Sequence, residues 1–146
     1  MKHVTLIVWI AFAILLSVQN RPIDIYNEVK ADVEAKGRKI PWQWHESVEL
    51  TSLRPKLYGI SLDMGAHANS VNILINRNEW NKMTKKEKKM LLLHEGMHSW
   101  FETRHCFALW HCVMSSGSIK IWGKMDYDKI LTQTLDHHTE RPFIKL

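Results

Sequence analysis

The feature that most constrains the fold is a helix signal that begins at Thr84 and carries two histidines. Thr84 and Glu87 form a capping box, in which each side chain satisfies a backbone amide at the start of the helix. The apolar residues that follow recur at helical spacing and predict a core-facing stripe: Met90, Leu93, Met97 and Trp100 or Phe101. His94 and His98 are four residues apart and lie one turn apart on a separate face. The sequence therefore predicts a helix that presents two imidazoles to one point.

The segment from His94 to His98 has the pattern H-E-x-x-H, which is typical of zinc hydrolases. Both imidazoles can reach one Zn²⁺ ion, and Glu95 lies beside them. Zinc lowers the pKa of its bound water to about 7, so that a neighbouring carboxylate can remove a proton at neutral pH. The pattern predicts a zinc site in which Glu95 is the general base.

A catalytic zinc site usually has three protein ligands, and His105 is the first candidate for the third. On a continuous helix His105 would lie about 10 Å along the axis from His98, too far to share a metal ion. The helix must therefore end soon after Phe101, although no glycine or proline before His105 marks that turn. The alternatives are that Asp126 or Asp128 supplies the third ligand and that His105 is an ordinary surface histidine.

The motif residues, together with Cys112-Val113-Met114, resemble those of the metzincin metallopeptidases. Six residues separate the second and third histidines, so the chain is more similar to a small phage and bacterial metallopeptidase group than to metzincins with a gap of five. The pair His105-Cys106 followed by Cys112 and Met114 also resembles the archaemetzincin pattern. The resemblance implies a role for each motif residue: zinc ligation by His94, His98 and His105, proton transfer by Glu95, and a Met-turn at Met114.

Cys106 and Cys112 are separated by five residues. Outside the cytoplasm they could form a disulfide that stiffens the segment between His105 and Met114. Free thiols are the second interpretation. A second metal site that includes His111 is the third.

The order of predicted elements indicates an α+β fold. Helix 22–36 is followed by strands 45–53, 57–62 and 71–76, a turn around residue 77, the histidine helix, and a last helix over 126–138 that Asp126 or Asp128 caps. We expect a small mixed sheet packed against the zinc-binding helix, as in metzincins. An exposed sheet edge, either strand 71–75 or strand 57–62, would bind an extended peptide substrate through backbone hydrogen bonds.

Residues 4–18 are almost wholly apolar, and as a helix they would span about 22 Å. That length suits a signal peptide or a signal-anchor over residues 1–20, and a buried N-terminal helix is the alternative. The rest of the chain, 22–146, has the length of one metallopeptidase-like domain. A membrane-anchored or secreted protein with an extracytoplasmic catalytic domain is therefore expected.

Two function classes follow from these patterns. The first is a zinc-dependent peptidase that acts on peptides or proteins. The alternative is a non-catalytic, membrane-tethered binding or structural protein that a metal stabilises. The net charge of +5 is modest, and the lysines near the start of the histidine helix predict a solvated face, so nucleic-acid binding is not expected.

Overall fold

In the computed structural model, the described residues are 21–62, 70–105, 113–114, 121 and 123–139. Within these ranges the elements are helix α1 (Pro22–Ala35), strands β1 (His45–Thr51), β2 (Gly59–Ser61) and β3 (Ser70–Asn76), and helices α2 (Arg77–Trp80), α3 (Lys85–Phe101) and α4 (Tyr127–Thr139). The expected α+β class, with a three-stranded mixed sheet packed against helices, is confirmed.

The sheet has the strand order β1-β3-β2. Strand β1 runs parallel to β3, and β2 runs antiparallel to it. The central position of β3 agrees with its burial, since five of its seven residues are buried. Of the two strands considered as a peptide-binding edge, β3 is therefore excluded, and β2 lies at an edge of the sheet that the described residues form.

Helix α3 begins with the predicted capping box, because Thr84 Oγ1 accepts from the Glu87 amide and the Glu87 carboxylate accepts from the Thr84 amide. Its second half differs from the expected one-sided stripe. Every residue from Met90 to Trp100 is buried, because α1, α4 and strands β2 and β3 all pack against this helix. On the histidine face His94 and His98 are buried, whereas His105, which lies beside them, is exposed.

The lysine-rich start of α3 pairs with acidic residues of α1. Lys85 Nζ lies 2.9 Å from Glu28 Oε1, and Lys89 Nζ lies 2.5 Å from Asp32 Oδ2. Such pairs near the surface contribute at most about 1 kcal/mol each to stability.

Trp100 connects α3 to α1. Its Nε1–H donates to the Tyr26 hydroxyl over 2.9 Å, and the two ring centroids are 5.4 Å apart. Gly96 makes this packing feasible, because a Cβ atom at that position would lie 2.5 Å from the Trp100 ring. The glycine within the histidine motif therefore has a packing role.

The turn predicted around residue 77 is instead the short helix α2. Asn76 caps it by accepting from the Asn78 amide over 3.2 Å. The Asn76 amide group also donates to the Leu57 carbonyl over 2.8 Å. One side chain therefore both starts α2 and joins the end of β3 to the segment that leads into β2.

None of the helices within the described ranges is both long and apolar enough to cross a membrane. Residues 1–20, Cys106, His111 and Cys112 lie outside those ranges. The N-terminal anchor, the domain boundary and the disulfide remain predictions.

Candidate metal centre

His94 and His98 are buried on α3, and a backbone carbonyl orients each ring. His94 Nδ1 lies 2.7 Å from the Val113 carbonyl oxygen, and His98 Nδ1 lies 2.6 Å from that of Thr103. A carbonyl oxygen can only accept a hydrogen bond, so each neutral ring must carry its proton on Nδ1. Both rings therefore direct an Nε2 lone pair into the site.

The chain returns to this point because Glu102 adopts the left-handed backbone conformation. Its φ and ψ angles are 51° and 30°, and α3 ends at the preceding residue. The amides of Glu102 and Thr103 both donate to the Met97 carbonyl. This turn places His105 beside the helix instead of further along its axis.

The three Nε2 atoms converge as the sequence predicts. His94 and His98 are separated by 3.2 Å, His98 and His105 by 3.2 Å, and His105 and His94 by 3.1 Å. Zinc–nitrogen bonds of 2.0–2.1 Å at tetrahedral angles separate the nitrogen atoms by about 3.3 to 3.4 Å. The triangle is therefore close to the size that a zinc ion needs, and the three histidines form a possible metal site.

The protonation pattern also fits a cation. With their protons on Nδ1, His94 and His98 have no hydrogen to share between their Nε2 atoms, in spite of the short separation. A hydrogen bond among the three Nε2 atoms would need its proton from His105, whose Nε2 lies 3.1 Å from His94 Nε2 and 3.2 Å from His98 Nε2. One metal ion at their meeting point could instead accept a lone pair from each of the three rings.

The electrostatics keep the buried imidazoles neutral. Burial is the main cause that lowers the pKa of His94 to about 3; the hydrogen bond to the Val113 carbonyl opposes this shift, and the nearby His98 and His105 add to it. Burial also lowers the pKa of His98. Neutral imidazole is the form that binds metal, so at neutral pH these two rings are already in the metal-binding form.

Glu95 is 5% exposed and lies against the edge strand β2. Burial raises the pKa of Glu95 to about 7, and a hydrogen bond from the Ser61 amide opposes this rise. Gly59 allows the close approach, since a Cβ atom there would lie 2.9 Å from Glu95 Oε1. A carboxyl group that changes protonation near neutral pH is suited to transfer protons.

Met114 is fully buried, and it follows the residue whose carbonyl orients His94. The Val113 amide donates to Thr134 Oγ1 on α4 over 3.1 Å. The turn that contains Val113 and Met114 is therefore joined to α3 on one side and to α4 on the other.

The rival third ligands have other partners. Asp126 Oδ1 accepts from the Lys129 amide at the start of α4, and Asp128 pairs with Lys36 over 2.7 Å. Among the described residues, neither aspartate belongs to the metal-ligand cluster. The expectation that Asp126 caps the last helix agrees with this structure.

The sequence analysis predicts no role in the site for five residues that shape it: Gly59, Glu102, Thr103, Val113 and Thr134. Two of them contribute through backbone carbonyls, which every residue has, so no side-chain pattern could identify them. Gly59 is the exception, because a glycine within a predicted strand indicates a close approach.

Comparison with known proteins finds no matching family model, no matching curated protein and no matching solved structure. The resemblance to metzincins therefore rests on the motif residues and on their convergence in this fold.

Proposed function

We propose that this chain is a zinc-dependent peptidase with a metzincin-like site. The observation that carries the proposal is the triangle of Nε2 atoms from His94, His98 and His105, with 3.1–3.2 Å sides and Glu95 next to the first histidine. A hydrolase needs an open metal position, and three histidines leave one in a tetrahedral site.

The roles follow from the chemistry of each side chain. His94, His98 and His105 hold the metal ion. When bound, zinc would lower the pKa of a water molecule and polarise the scissile carbonyl. Glu95 would then act as the proton carrier, as general base toward the attacking water and as general acid toward the leaving amine. Met114 supplies an apolar, polarisable floor beneath the histidines.

The proposed substrate is a peptide or protein segment in extended conformation. Among the described residues, strand β2 lies at the sheet edge next to Glu95, and its outer backbone groups other than the Ser61 amide, which donates to Glu95, can pair with such a segment. Leu62, which follows β2, is 55% exposed and offers an apolar contact. We further propose that residues 1–20 anchor or export the domain, so that it acts outside the cytoplasm.

Replacing Glu95 with glutamine tests this function. The amide keeps the size of the side chain and an oxygen that can accept from the Ser61 amide, but it cannot take up a proton. The matched control is Glu49→Gln, the same change at an exposed residue of β1. We expect Glu95→Gln to retain zinc and lose peptide hydrolysis, whereas the control retains both. Hydrolysis by Glu95→Gln at the wild-type rate would exclude Glu95 as the base.

One observation favours the non-catalytic alternative. The hydrogen bond from the Ser61 amide gives the buried Glu95 carboxylate a structural partner that does not depend on catalysis. A wild-type protein that binds zinc tightly and cleaves no peptide in a library of extended substrates would support this alternative.

A further inference from the structure

Thr134 on α4 is connected to the metal site through one residue. Its side chain is fully buried, and its Oγ1 accepts from the Val113 amide over 3.1 Å. The Val113 carbonyl in turn accepts from His94 Nδ1 over 2.7 Å. Two hydrogen bonds in series therefore join the interior of α4 to a metal-binding imidazole.

Val113 and Met114 lie in a turn, and both backbone groups of Val113 are held by side chains, the amide by Thr134 and the carbonyl by His94. A buried amide without an acceptor is unfavourable, so the hydrogen bond to the Thr134 hydroxyl fixes the position of this turn. The position of the turn sets the direction in which the Val113 carbonyl points. That carbonyl in turn fixes the tautomer and the ring orientation of His94.

We propose that Thr134 is a positioning residue for His94, which it orients through Val113. The inference rests on the proposed function, in which His94 binds zinc. Hydrogen-bond partners of metal-binding histidines commonly change metal affinity by about 10- to 100-fold when they are removed. Because Thr134 acts one residue further away, we expect about a tenfold effect, at the low end of that range.

The test compares two threonine-to-valine changes on one helix. Thr134→Val removes the acceptor and nearly preserves the shape. Thr132→Val is the matched control, because Thr132 Oγ1 donates to the Asp128 carbonyl on the same helix. Zinc affinity is measured at neutral pH by competition with a chelating indicator, and unfolding of the zinc-free proteins by urea is measured in parallel.

The expected result is a zinc Kd about tenfold weaker for Thr134→Val and unchanged for Thr132→Val. Thr134→Ser, which keeps the hydroxyl, should bind zinc like the wild type, and Thr134→Ala should bind it like the valine variant. The serine and alanine pair also tests the inference if the valine variant fails to fold.

Two different failures can be told apart. If the wild type binds zinc and Thr134→Val is less stable but has the same Kd, Thr134 has a structural role only and the inference is overturned. If the wild type binds no zinc, the proposed function fails, and the inference fails with it.

Discussion

The Glu102→Gly variant should be more stable than the Glu102→Ala variant. Glu102 has a φ angle of 51° and a ψ angle of 30°, which is the left-handed region. A residue with a Cβ atom is destabilised there by about 1–2 kcal/mol. Glycine avoids this strain but loses about 0.5–1 kcal/mol more backbone entropy on folding. The difference predicts that the glycine variant is about 0.5–1 kcal/mol more stable than the alanine variant.

The comparison of these two variants isolates the backbone effect, because both remove the Glu102 carboxylate and its interactions. Urea denaturation of zinc-free protein measures the free energy of unfolding, and a gain of 1 kcal/mol should raise the melting temperature by about 3 to 5 °C for a domain of this size. Equal stability, or a more stable alanine variant, would refute the argument that a strained turn returns His105 to the site.

Two further predictions concern the helix and the metal. Gly96→Ala should lower the free energy of unfolding by about 1–3 kcal/mol in urea denaturation, because the new Cβ would lie 2.5 Å from the Trp100 ring. The same change at an exposed helical glycine would stabilise the protein by about 1 kcal/mol. A gain of that size at Gly96 would contradict the packing of Gly96 against Trp100. Removing zinc with a chelator should leave the far-ultraviolet circular dichroism unchanged, because the hydrophobic core is formed by apolar side chains and includes none of the three histidines. The free energy of unfolding should fall by about 2.7 kcal/mol relative to protein in free zinc at 100 times its Kd. Loss of the helical signal on chelation would favour the non-catalytic, metal-stabilised alternative.

The parts of the fold that local signals determine could be predicted from the sequence. Helix α3 has a capping box and regular apolar spacing, and α1 has proline at its first position and Gly37 just after its end with a φ angle of 77°. The burial of Leu91 and Leu92 was not predictable in the same way. It depends on how many neighbours surround the helix, which is a property of the tertiary structure.

In the metal site, too, some features follow from the local sequence and others depend on the tertiary structure. The spacing of His94, Glu95 and His98 is local, and it predicts their shared turn of helix. The return of His105 depends on a left-handed glutamate, for which the sequence contains no marker. The orientation of the buried rings depends on carbonyls of Thr103 and Val113, and only the folded chain brings the second of these to α3.

Zinc binding by wild-type protein and by His105→Ala tests whether His94, His98 and His105 share one metal ion. His45→Ala is the matched control, since His45 is an exposed histidine on β1 outside the cluster. We expect one zinc ion per wild-type chain and per control chain. For His105→Ala we expect a zinc affinity at least about 100-fold weaker, because a ligand contributes more than the outer hydrogen-bond partners of ligands, which each account for about 10- to 100-fold. Equal zinc affinity of His105→Ala and the wild type would contradict the claim that three imidazoles bind one metal ion.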